Sequence, residues 1–291
     1  MVADNGTDFT SKVHNDTYAA IDPATKSDLS GKYVFVTGAS KGIGRATALA
    51  YAKAGVSGIA IGARSSLTEL ENDIKKAATS ASKPVPKILS VKLDVEDQTS
   101  VDNAAKATAT AFPRLDILMN NAGYLENFTP IADSNPDEWW KSWGVNMRGV
   151  YLCTRAFLPI MLKGGDKQIV NVSSIGAHGR RPGASAYQSA KFALLRFTEF
   201  IVAEYGEQGV LAFAIHPGGV MTELAKAMPK NAHHLLTDTP ELAGDVVAYL
   251  TQKKRDWLAG RYISVNWDME EFLGREAEIV KDDKLKMRMV V

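Results

Sequence analysis

The chain has 291 residues, 45% of them hydrophobic, with 34 basic and 33 acidic side chains. That length suits one α/β domain with a full core, and a net charge of +1 gives no ground for nucleic acid or an anionic membrane as a partner. The lone cysteine, Cys153, excludes an internal disulfide and fits a reducing compartment. Residues 1–12 lack a basic stretch followed by an apolar core, and no apolar run reaches 18 residues. The expectation is a cytoplasmic protein that does not cross a membrane.

Residues 1–28 are polar with weak periodicity and predict a flexible arm. Strand-like runs then recur at 33–37, 58–62, 88–93, 115–119, 168–173, 210–215 and 261–265. Helical stretches lie between them, near 43–54, 66–80, 98–111, 136–162, 183–206 and 240–252. Seven strands alternating with helices predict a single α/β domain over 29–267, a doubly wound Rossmann-type parallel sheet. The stretch from Thr79 to Pro86 reads as a surface loop, and 268–291 as a C-terminal tail.

The first strand runs directly into Gly38-Ala39-Ser40-Lys41-Gly42-Ile43-Gly44, and an Ala-rich helix follows. Glycine lets backbone approach a pyrophosphate, and a helix N-terminus offers free N–H groups and a positive dipole end. The spacing is Gly-x-x-x-Gly-x-Gly, different from the Gly-x-Gly-x-x-Gly of many dinucleotide folds. The second strand ends at Ala63-Arg64, where an NAD enzyme would carry an acidic residue for the ribose 2′-hydroxyl. Arg64, with Lys41 inside the glycine loop, suits a 2′-phosphate instead and favours NADP(H).

Tyr187-Gln188-Ser189-Ala190-Lys191 lies thirteen residues after Ser174. On a helix, i and i+4 share a face, so phenol and ammonium are neighbours. A fixed positive charge is expected to pull the phenol down from its usual value near 10, towards efficient acid–base chemistry.

These features resemble the classical short-chain dehydrogenase/reductases over about residues 30–267. The cofactor motif matches Thr37 to Gly44, and the adenine-contact position matches Leu93-Asp94-Val95. The Asn-Asn-Ala-Gly motif is Asn120 to Gly123, and the helix asparagine is Asn146. The catalytic serine is Ser174, the Tyr-x-x-x-Lys pair is Tyr187 and Lys191, and Pro217-Gly218 leads to Val220 and Thr222. The resemblance implies that Tyr187 exchanges the substrate proton and that Lys191 lowers its pKa and holds the nicotinamide ribose. It implies that Ser174 fixes the substrate oxygen and that Asn146 supports a water leading to Lys191. Asp94 and the Val95 amide would meet the adenine. Asn121 would meet a ribose through its backbone, with Ala122 and Gly123 beside the cofactor, and Val220 and Thr222 would bind the carboxamide. A homodimer or homotetramer is also implied, paired through the helices before and at the active-site tyrosine.

Asn120 reads as a strand bridge, Asp116 as a strand-edge cap and His216 as a packed histidine. No spacing of His, Cys and carboxylates suggests a metal. Trp139 and Trp143 share a helix face and read as packing or a subunit contact. His178, Arg180 and Arg181 lie in a loop expected to line the substrate pocket, with 124–130 and a lid at 223–238. The tail is expected to fold over the core and help close that pocket, from its own or a neighbouring subunit. The function expected is NADPH-dependent reduction of a ketone or aldehyde, reversible to alcohol oxidation, with a small-molecule substrate such as a secondary metabolite. Alternatives are an NAD-dependent alcohol dehydrogenase and a non-catalytic cofactor-binding regulator. An extended-family sugar epimerase would carry a different glycine spacing.

Overall fold

The computed structural model describes residues 6–289, and residues 1–5 of the expected arm and 290–291 of the tail lie outside them. In chain order the elements are α1 (Pro23–Lys26), β1 (Tyr33–Thr37), α2 (Gly42–Lys53), β2 (Gly58–Ala63), α3 (Thr68–Ser80), β3 (Lys87–Lys92), α4 (Gln98–Ala111) and β4 (Ile117–Asn120). They continue with α5 (Pro136–Trp143), α6 (Gly149–Met161), β5 (Gln168–Val172), α7 (Ser185–Tyr205), β6 (Leu211–His216), α8 (Pro240–Thr251), β7 (Tyr262–Ser264), α9 (Met269–Gly274) and α10 (Glu276–Lys281).

The seven strands form one parallel sheet in the order β3-β2-β1-β4-β5-β6-β7. Parallel pairing requires crossovers, and the helices that supply them cover both faces. That is why β2, β5 and β6 are buried along their whole length and read as near-continuous apolar runs. The edge strand β3 is the exception, with an exposed lysine at each end that discourages further pairing. The order in which strands are added reverses between β1 and β4, which themselves pair in parallel. The crevice beyond their carboxyl ends is where this topology binds ligands, bordered by the glycine loop and the Asn-Asn-Ala-Gly turn.

The stretch 136–162 is not one regular helix. Asn135 caps α5 by accepting from the amides of Asp137 and Glu138, and Pro136 sits where its missing N–H costs nothing. A π-helical turn, Gly144–Arg148, then separates α5 from α6 and carries Asn146. Such turns are rare and recur at functional sites.

The described part of the arm is docked, in contrast to the expectation of a loose segment. Val13 forms an antiparallel bridge with Trp267, and His14 and Asn266 exchange hydrogen bonds of 2.7 and 2.9 Å. Trp267 Nε1 donates to the Gly6 carbonyl at 2.8 Å, and Phe9 packs on the Trp267 and Phe272 rings. Ile21 is fully buried. The tail does fold over the core, burying Met269, Phe272 and Ile279.

Candidate active site

The cofactor end grows from β1 and β4. Thr37, the last residue of β1, accepts from the Asn121 and Ala122 amides at 2.9 and 3.0 Å. Asn121 Nδ2 returns bonds to the Thr37 and Gly38 carbonyls at 2.9 and 3.2 Å. Glycine is required here by both conformation and space: Gly38 has φ +64°, and a Cβ on Gly44 would lie 2.5 Å from the Gly38 oxygen. The loop delivers the first turn of α2 to the crevice, and the N-cap, Lys41, gives it no side-chain bond. First-turn amides so presented make an anion site. Lys41 and Arg64 stand at this end of the crevice with no ion-pair partner within 4 Å among the described residues. Glu96 is close enough to interact with Arg64 electrostatically.

The other end grows from β5 and α7. Ser174 follows β5 and accepts from the Gly176 amide at 3.0 Å. Tyr187 lies in the first turn of α7, half-buried and hydrogen-bonded to Ser174. Lys191, one turn on, is buried, and its Nζ donates to the Val172 carbonyl at 2.7 Å, 5.6 Å from the Tyr187 ring centroid. The electrostatics differ from the expectation of a depressed phenol. Burial pushes Tyr187 up to about 12, against the hydrogen bond from Ser174 and with help from the Glu126 carboxylate. Burial likewise brings Lys191 down to about 7. Desolvation is the largest cause of both shifts.

Asn146 is fully buried behind the site. Its Nδ2 donates to the Tyr124 and Ser142 carbonyls at 2.6 and 2.8 Å, and its Oδ1 accepts from the Tyr124 amide at 3.3 Å. It thereby ties the segment after β4 to the π turn. Asn120 bridges strands as expected, donating to Asn171 Oδ1 at 2.9 Å. Asp116 caps β1 and the loop before β5 by accepting from the Tyr33 and Asp166 amides at 2.8 and 3.1 Å. Trp139 and Trp143 stack at 5.9 Å, and Trp139 Nε1 donates to Ser185 Oγ at 3.0 Å, holding α5 against the start of α7.

One cavity of about 1220 Å³ joins the two ends. That exceeds the volume of typical single-ligand pockets, so it has room for a dinucleotide and a substrate together. Of the residues expected to bind or react, all but Gly44 and Asn146 line it. The glycine cradle, the free helix terminus, the two unpaired cations and the cavity's volume fit a nicotinamide dinucleotide. Among the described residues no group of three or more His, Cys, Asp or Glu side chains could hold a metal.

The profile of the short chain dehydrogenase family matches residues 32–233. The chain belongs to the short-chain dehydrogenase/reductase family. A short chain dehydrogenase of Monascus purpureus is 54% identical over 286 residues, 98% of each chain. Among solved structures, a short chain dehydrogenase of Shigella flexneri in complex with NADP has 26% identity and TM-score 0.73, covering 82% of this chain and 99% of that one. The 3-ketoacyl-(acyl-carrier-protein) reductase of Brucella melitensis in complex with NADH has 27% identity and TM-score 0.71, covering 82% and 98%. This dehydrogenase/reductase is therefore an oxidoreductase with a nicotinamide cofactor.

Several residues in this oxidoreductase were not singled out from its sequence. Glu126 is buried and accepts from the Tyr187 amide at 3.1 Å, so a carboxylate caps the helix that carries the tyrosine. Asp238 accepts from Gly219 N, Asn266 Nδ2 and Asn15 Nδ2 at 2.6, 2.8 and 2.7 Å, fastening the expected lid to the Pro217-Gly218 turn. The arm, through Val13, His14 and Asn15, forms part of the cavity wall, whereas among the described residues none of the tail beyond Trp267 lines it. The arm's contacts are single polar side-chain and backbone bonds to distant segments, which leave no periodic signature. No helix among the described residues is long and apolar enough to cross a membrane.

Proposed function

We propose that this oxidoreductase is an NADPH-dependent reductase of a ketone or aldehyde. The observation that carries the reading is the pair of unpaired cations, Lys41 and Arg64, at one end of a cavity whose other end holds Ser174, Tyr187 and Lys191. A 2′-phosphate is the group that a guanidinium and an ammonium at the adenosine end of a dinucleotide site would select. The bound nicotinamide supplies the hydride.

The chain's own residues do the rest. Ser174 holds the substrate oxygen by a hydrogen bond and aligns it with the phenol. Tyr187 gives its proton to that oxygen as negative charge develops there. A phenol held near 12 is fully protonated at neutral pH, which suits an acid in the reductive direction. Lys191, with a value near neutrality, can return a proton and bind a ribose hydroxyl. Asn146 and Glu126 position the loop and helix that carry these groups. The shape of the cavity, walled by loops and the arm, suits a bulky carbonyl compound such as a secondary metabolite. We further propose a cytoplasmic homo-oligomer paired through α6 and α7, which expose Tyr151, Phe192 and Phe200.

The test is NADPH oxidation against a panel of bulky ketones and aldehydes, with Tyr187→Phe alongside. Turnover that disappears in the variant while NADPH still binds is the expected result. Turnover that survives in Tyr187→Phe would overturn the assignment of the proton donor.

A further inference from the structure

His178 and His216 remain unexplained by the reaction chemistry. His178 ends the turn of 3-10 helix that follows Ser174, and His216 ends β6, immediately before Pro217-Gly218. Strands β5 and β6 are neighbours with Val172 opposite Ile215, so His216 stands beside Ser173, one residue from Ser174. Both imidazoles line the cavity, and neither makes a hydrogen bond to another protein group. His178 Nε2, His216 Nδ1 and the nearby Tyr262 hydroxyl are shielded and unpartnered. The His178 ring stands edge-on to Tyr262 at 4.5 Å, which fixes its plane.

Burial lowers both histidines, His216 to about 4, so both rings are neutral at pH 7. A neutral imidazole has one N–H and one bare nitrogen. A buried N–H without a partner is the costlier of the two to leave unpaired, so the N–H belongs on the edge that faces the cavity. Two such donors beside the catalytic serine match an oxygen acceptor. Asp238 interacts with His216, which disfavours a carboxylate there.

We propose that His178 and His216 form a polar subsite that receives a second, uncharged oxygen of the substrate. The preferred substrate is then a carbonyl compound that also bears a hydroxyl, enol or further carbonyl group. This rests on the reading of the cavity as a carbonyl reductase site and adds its substrate class. One hydrogen bond of ordinary net strength corresponds to about tenfold in affinity.

The probes are 4-phenyl-2-butanone and its 4-hydroxy derivative, which differ by one hydroxyl. Their binding to the NADPH-loaded Tyr187→Phe variant is followed by tryptophan fluorescence, so no turnover is needed. The subsite predicts about tenfold tighter binding of the hydroxyketone, and a ratio that collapses towards one when His178→Phe or His216→Leu is added. Equal binding, undetectable binding of both, or a preference that survives both substitutions would overturn the subsite. Failure of the reductase reading shows separately, as absence of NADPH oxidation with either ketone in the wild-type enzyme.

Discussion

Thr37→Val tests how the cofactor loop is held. Valine matches threonine in shape, and Thr37 is 1% exposed, so the change opens no cavity and isolates the hydroxyl. That hydroxyl accepts from the amides of Asn121 and Ala122 and donates to the Met119 carbonyl at 3.3 Å. Asn121 N retains a poorer bond to the Met119 carbonyl at 3.2 Å, whereas Ala122 N has no second acceptor. Orphaning one partly buried amide costs about 1–3 kcal/mol, and weakening the second adds about 1, so a loss of about 2–4 kcal/mol is expected. With a urea m-value of about 3 kcal/mol per molar, the unfolding midpoint should fall by about 1 M. The glycine loop and the Asn-Asn-Ala-Gly turn also lose their common anchor, so NADPH affinity should fall with stability. Urea unfolding followed by tryptophan fluorescence, with a parallel NADPH titration, reads both. A midpoint shift below about 0.2 M with unchanged affinity would refute this role for the hydroxyl.

Gly44→Ala should cost more in cofactor binding than in folding, because its Cβ would press on the Gly38 oxygen and Asn121 Nδ2, both 2.5 Å away. Wild-type NADPH affinity in that variant would contradict the close approach. Asn15→Ala removes bonds to Asp238 and Thr237 of 2.7 and 3.2 Å and should raise substrate KM more than it lowers kcat, since the arm and lid form cavity wall. An unchanged KM would show that the clasp is dispensable. Asp245 is pushed by burial up to about 6 despite its bond from Thr17. With the folded value raised, its contribution is fully present below about pH 4 and is lost as pH rises through 6. Asp245→Asn should therefore stabilise the protein at pH 7, by up to roughly 3 kcal/mol, and much less at pH 4, as thermal melts would show. Equal effects at both pH values would refute that sign. Phe200→Glu, on the exposed face of α7, should shift the protein towards monomer in sedimentation. An unchanged sedimentation coefficient would exclude that face.

The sheet was legible because its strands are buried on both faces. Runs such as Gly58–Ala63 and Leu211–His216 stand out as short apolar blocks, each preceded by a glycine turn at Gly55 or Gly209. The cavity was legible where its walls are motifs, because phosphate approach demands glycine at fixed places. Legibility failed where geometry depends on distant segments. No pattern in 136–162 announces the π turn at Gly144–Arg148. The i, i+4 spacing of Tyr187 and Lys191 placed both on one face but said nothing of burial or of the Val172 carbonyl that holds the ammonium. The polar arm looked loose because its partners, Trp267 and Asp238, lie more than 200 residues away and bind it through isolated polar contacts, not a periodic apolar face.

The most direct measurement is a fluorescence titration of the purified protein with NADPH and NADH, on wild type and Arg64→Asp. NADPH binding tighter than NADH by about tenfold or more, and lost in the variant, is the predicted result. Equal or NADH-favouring binding in the wild type would contradict a 2′-phosphate site at Lys41 and Arg64.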